Sequence, residues 1–180
     1  MTDTLDRALD AALALAVDRP WRDITLLEIA RAAEVPFAEL YARAPTKAVL
    51  LRRLSSRLDA AALQPGDEDA PLHDRLFDLV MGRLEAMEPH RFPLIAVAQD
   101  EGWAVVAPRL PRAARAFLEA AGVSTEGWKG AARVAAMTAV WARVLQVWRD
   151  DEGALNRTMA EIDKRLRQMA ERLERIGAGF

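Results

Sequence analysis

Apolar residues recur along the chain at the three-and-four spacing of amphipathic helices, and breakers divide the pattern into about nine stretches. The first is predicted over Thr4 to Asp18, with Leu5, Leu9, Ala12, Leu13, Ala16 and Val17 on one side and Pro20 just past its end. Thr25-Leu26-Leu27-Glu28 then reads as a capping box, in which the threonine hydroxyl and the glutamate carboxylate each satisfy a free backbone N–H. Ile24 and Ile29 occupy the flanking positions of a hydrophobic staple. The helix that follows, Leu26 to Ala33, is therefore short and its start is fixed. Pro36 suits a first helical position, and a third helix of barely two turns, Phe37 to Ala44, stops at Pro45. Thr46 can cap a fourth, from Lys47 to about Leu63. The acidic, turn-rich stretch Gln64 to Ala70 marks a boundary.

Five more helices are predicted beyond it. Pro71 to Glu88 carries Leu72, Leu76, Leu79, Val80, Leu84 and Met87 on one side. Pro93 to Trp103 and Pro108 to Ala121 follow, the latter closed by Gly122. Gly127 to Arg149 is the most apolar long stretch, with Val134, Met137, Trp141, Leu145 and Trp148 on one face. The last helix, Gly153 to Ile176, spaces Met159, Ile162, Leu166, Met169, Leu173 and Ile176 as a narrow heptad seam. The expected fold class is all-α, in two parts: residues 1–54 and residues 72–180.

Composition removes several classes of chemistry. The 180 residues include no cysteine, so a disulfide framework, a thiolate metal site and a cysteine nucleophile are all absent. The two histidines, His73 and His90, lack any paired metal-ligand spacing, and no nucleophile-elbow, phosphate-loop or dinucleotide-binding motif occurs. Asp150-Asp151-Glu152 is read as an acidic cap for the last helix rather than a metal cluster. No enzyme, cofactor or metal is expected. Asp3, Asp6 and Asp10 precede the apolar run Ala11–Val17 where a signal peptide would be basic, and no stretch reaches the ~18 apolar residues of a membrane span, so a soluble cytoplasmic protein is expected. Lys plus Arg is 25 against 27 for Asp plus Glu, a net charge of −2, so overall charge does not advertise a nucleic-acid partner.

The three helices predicted before residue 54, the second and third short and joined by a tight turn, have the pattern of a helix-turn-helix. Leu9-Asp10-Ala11-Ala12-Leu13-x-Leu15-Ala16, then Thr25 through Ile29-Ala30 to Ala33, Val35, Leu40-Tyr41 and Pro45-Thr46-Lys47-x-x-Leu50-Leu51, resemble the TetR family of transcriptional regulators. The resemblance implies a homodimer whose third helix enters the major groove of a double-stranded DNA operator, under control of a helical ligand-binding domain. It places Pro36, Phe37, Ala38 and Glu39 at base edges and Tyr41, Thr46 and Lys47 at phosphates, with Thr25 and Arg43 completing the DNA-binding set. Three positions depart from the family pattern: Glu34 stands where the turn usually has glycine, the reader opens Pro-Phe-Ala-Glu, and Ala44 replaces an aromatic residue. If Glu34 is left-handed, the cost is roughly 1 kcal/mol or more. Residues 1–54 carry eight basic and eight acidic side chains, a poor footprint for phosphate, so a helix-turn-helix kept as scaffold is the competing reading.

A second resemblance supports that competitor. Arg83-Leu84-Glu85-x-Met87-Glu88-Pro89-His90, with Trp148-x-x-Asp151, Thr158-Met159-Ala160 and Ile162-Asp163-x-Arg165-Leu166, is similar to the COQ9 family, TetR-fold proteins that bind lipids and assist ubiquinone synthesis. The apolar helix faces of the second half read either as ordinary core or as a cavity for a hydrophobic small molecule or lipid, lined by Met81, Leu84, Trp103, Met137, Trp141 and Leu145, and both families are compatible with such a ligand. No charged residue stands out within these apolar faces, which disfavours a strongly ionic ligand. The seam of the last helix packs on its own domain, on a sister subunit or, as a peripheral contact, on a membrane.

Overall fold

The computed structural model describes residues 3–64, 66–102, 107–151 and 155–180. Among these residues there are nine α-helices, three short 3-10 turns and no strand. The helices are α1 (Thr4–Asp18), α2 (Leu26–Ala32), α3 (Phe37–Arg43), α4 (Lys47–Ala62), α5 (Leu72–Met87), α6 (Arg91–Glu101), α7 (Leu110–Ala120), α8 (Gly127–Arg149) and α9 (Asn156–Arg175). Most boundaries fall within two residues of the pattern-based ones. Helix α6 starts ahead of Pro93 because proline is tolerated in a first turn, whose N–H groups have no intrahelical partner. No helix among the described residues is long and apolar enough to cross a membrane.

The chain divides into two compact units, Met1–Leu58 with Pro89–Val106, and Asp59–Glu88 with Ala107–Phe180. In the first unit, α1 buries Ala8, Leu9, Ala12, Leu13 and Ala16. Against it pack α2, α3 and, from the middle of the sequence, α6. Trp21, Ile24, Ile29 and Leu40 are fully enclosed in this core. Val17, placed by spacing on the apolar face of α1, is 60% exposed at the helix end.

In the second unit, α8 packs against both α7 and α9, and α5 contacts α7 and α9. The indole of Trp141 meets the Phe117 ring edge-on at 5.4 Å, and the Trp148 Nε1–H donates to Glu88 at 2.7 Å. Asp151 acts as the expected acidic cap: its Oδ2 accepts from the Thr158 backbone N–H at 2.8 Å and hydroxyl at 2.7 Å, inside the first turn of α9. Glu152 and the predicted helix start at Gly153 lie outside the described residues.

The second unit does hold an embedded charge, against the expectation from its apolar faces. Arg83 sits on the inward face of α5 with only 8% of its side chain exposed, so a charge is embedded in the second unit's core. It donates to Asp59, lies 5.8 Å from the Trp141 ring, and leaves its Nε without a hydrogen-bond partner among the described residues. Asp59 also receives Arg112, at 3.4 Å. Burial pushes the Arg83 guanidinium pKa down, against the pull of Asp59.

Candidate nucleic-acid interface

The site is built from the α2–α3 turn outward. Thr25 Oγ1 accepts from the Glu28 N–H at 3.2 Å, and Glu28 Oε2 accepts from the Thr25 N–H at 2.8 Å, which completes the capping box. Arg19 clamps the same carboxylate at 2.7 Å. The Arg19 and Thr25 hydrogen bonds together hold the Glu28 pKa down at about 2. Thr25, expected among the DNA-binding residues, is thus exposed and engaged in fixing the start of α2.

At the other end, the Val35 N–H donates to the Ala30 carbonyl at 2.9 Å and the Glu34 N–H to the Arg31 carbonyl at 3.1 Å. This is a Schellman closure, and it puts Glu34 in the left-handed region at φ 54°. Helices α7 and α9 end in the same hydrogen-bond pair, and there the left-handed residue is Gly122 or Gly177. The turn adopts its glycine geometry without the glycine.

Helix α3 buries only Leu40. At about 100° per residue, Ala38 and Ala42 lie opposite it, as the outermost ridge. On one flank the Phe37 and Tyr41 rings meet at a 40° tilt with centroids 5.6 Å apart, 42% and 52% exposed. On the other flank are Glu39 and Arg43. The Thr4 hydroxyl donates to Glu39 at 2.5 Å, and Arg43 donates to Asp3 at 2.6 Å, so both ends of that flank are tied to the start of α1. Pro36 and Thr46 are exposed. Lys47 is half-buried, its ammonium 4.8 Å from the centroid of the Trp21 ring and donating to the Trp21 carbonyl.

Charge in this unit is largely consumed internally. Asp3, at the cap of α1, and Asp6 and Asp10 along it fall in one stripe and engage Arg43, Arg53 and Arg57. The Arg53 fork holds Asp6 at 2.8 and 2.6 Å and lowers its pKa, although burial acts in the opposite direction. Among the described residues Arg7, Arg31 and Arg52 are exposed and make no ion pair. The signal for these pairs in the sequence is the three-and-four spacing of Asp3, Asp6 and Asp10 and the four-residue spacing of Arg53 and Arg57.

The expected pocket and seam residues belong to the second unit. Leu84, Met137 and Trp141 are in its packed interior, Met81 and Leu145 are half-buried, and Trp103 lies outside the described residues. Val140 and Val144 complete the buried face of α8, alongside Val134 and Trp148. Of the seam, Ile162, Leu166, Met169 and Leu173 are buried within this unit, where α9 packs on α8 and α5. Met159 is half-buried and Ile176 is 59% exposed.

A helix-turn-helix on three helices, followed by a larger all-helical unit, is the TetR-like fold. Among solved structures, the chain is similar to a TetR transcriptional regulator from Nitrosomonas europaea, at 21% identity and TM-score 0.73 over 93% of this chain and 98% of that one. It is similar also to a TetR regulator from Rhodococcus sp. RHA1, at 18% identity and TM-score 0.69 over 92% and 94%. A third is a TetR-family regulator from Streptomyces coelicolor, at 18% identity and TM-score 0.61 over 97% and 84%. At these identities the likeness is one of fold. No protein-family model and no curated protein sequence matches the chain.

Proposed function

We propose that the protein is a DNA-binding transcriptional regulator, acting as a homodimer and released from its operator by a hydrophobic small molecule held in the second unit. The observation that carries this reading is α3 itself. It is a short rod that buries only Leu40 and is tied to the start of α1 through Glu39 and Arg43. It exposes Phe37, Ala38, Tyr41 and Ala42 behind a left-handed turn. A rod of that kind fits a B-DNA major groove. Ligand binding would shift the population between two spacings of paired readers and so lower operator affinity. The COQ9-like alternative, a lipid-carrying accessory protein, gains nothing from α9, since four residues of its apolar stripe are occupied inside the unit.

The test is capture of genomic duplex fragments by the folded protein at graded salt. Retention at low salt is expected. The slope of log affinity against log salt should be shallow, about −3 per reader for three free arginines. No retention at low salt by folded protein overturns the reading.

A further inference from the structure

We propose that α3 selects its operator through thymine 5-methyl groups. This rests on the regulator reading above and adds what the reader recognises. In the major groove, guanine and adenine present acceptors or donors, and cytosine presents a donor. Thymine alone adds an apolar methyl. The surface of α3 matches that one feature. Its ridge, Ala38 and Ala42, is small enough to let the helix backbone lie close to the base edges. Beside the ridge, the Phe37–Tyr41 ring pair leaves about half of each side chain exposed as an aromatic wall.

The ionic alternatives on α3 are already engaged. An arginine reading guanine through O6 and N7 is the commonest specific contact, but Arg43 is held by Asp3 at 2.6 Å. A glutamate could accept from a cytosine amino group, but Glu39 is drawn toward α1 by the Thr4 hydroxyl. With equal numbers of basic and acidic residues in the first 54, phosphate contacts supply little affinity, and base contacts must carry a larger share. Each methyl packed on an aromatic face or an alanine should change affinity about four-fold.

The experiment selects duplexes from a random pool with the full-length protein, then replaces each thymine of the selected half-site by deoxyuridine, which removes only the methyl. One or two positions should each lose about four-fold in affinity. That sensitivity should vanish in Phe37→Ala, while Phe37→Leu should retain part of it; circular dichroism of both variants checks that the exposed substitution leaves the helices intact. Tight binding that is indifferent to uracil, or a guanine-dependent site abolished by Arg43→Ala, overturns the methyl inference and leaves the regulator reading standing. If the folded protein captures no duplex, or the aromatic pair instead mediates protein association, the regulator reading fails first and this inference falls with it.

Discussion

Glu34 and Arg83 are two residues held where their chemistry is unfavourable. The left-handed Glu34 repeats a closure that the chain elsewhere builds with Gly122 and Gly177. Glu34→Gly should therefore stabilise the first unit by about 1 kcal/mol, less the extra freedom glycine gains when unfolded. A raised urea midpoint with unchanged slope would show it, and an unchanged or lowered midpoint would mean that the strain at Glu34 does not exceed the extra freedom of glycine in the unfolded chain. Arg83 represents the opposite case, a buried charge compensated by Asp59. Asp59→Ala should cost about 3–5 kcal/mol by leaving the guanidinium without its counter-ion, and adding Arg83→Met should recover most of that loss. Equal stabilities for the single and double variants would refute the coupling.

At the scale of the element, the capping box couples the start of α2 to acid. The Glu28 pKa lies at about 2 in the folded protein, against 4.5 for the free side chain. A depressed carboxylate pKa stabilises the fold above the unfolded value, and that contribution fades as pH falls from about 4.5 toward 2. Glu28→Gln should thus lower stability at neutral pH and match the parent near pH 2 in acid-unfolding curves. Thr25→Ala should cost about 1 kcal/mol at every pH where the helix persists, a difference that denaturant titration would resolve.

Elements with strong punctuation were legible in the sequence. Thr25 and Glu28, Pro45 and Gly122 mark helix limits through local chemistry that tertiary packing does not override. The inward face of helix α6 is hard to read, because Phe92 to Ala98 is a continuous apolar run and periodicity does not show that Pro93 and Val97 turn inward while Phe92 is 77% exposed. Its packing on α1 is a long-range fact that no local pattern encodes. Arg83 was recoverable in principle: Leu76, Val80, Arg83 and Met87 keep helical spacing, so an arginine stood within an apolar series. The outward set of α3 followed from the motif, but the tethering of Glu39 and Arg43 depends on α1, more than thirty residues earlier.

For the whole molecule, a net charge of −2 understates how little cationic surface the first unit offers, since Arg43, Arg53 and Arg57 are each matched by an aspartate and, among the described residues, Arg7, Arg31 and Arg52 are left exposed without an ion pair. The stripe of Asp3, Asp6 and Asp10 has a further consequence. On the proposed regulator reading, Asp3 at the cap of α1 and Asp6 and Asp10 along it would stand in for backbone phosphates, because they already hold the guanidinium groups of Arg43, Arg53 and Arg57. Neutralising them together as Asp3→Asn, Asp6→Asn and Asp10→Asn should steepen the salt slope by up to about three per copy and raise affinity for unrelated DNA; an unaltered slope in filter binding would rule this out. On that reading the first helix would be a built-in decoy, giving up grip for discernment.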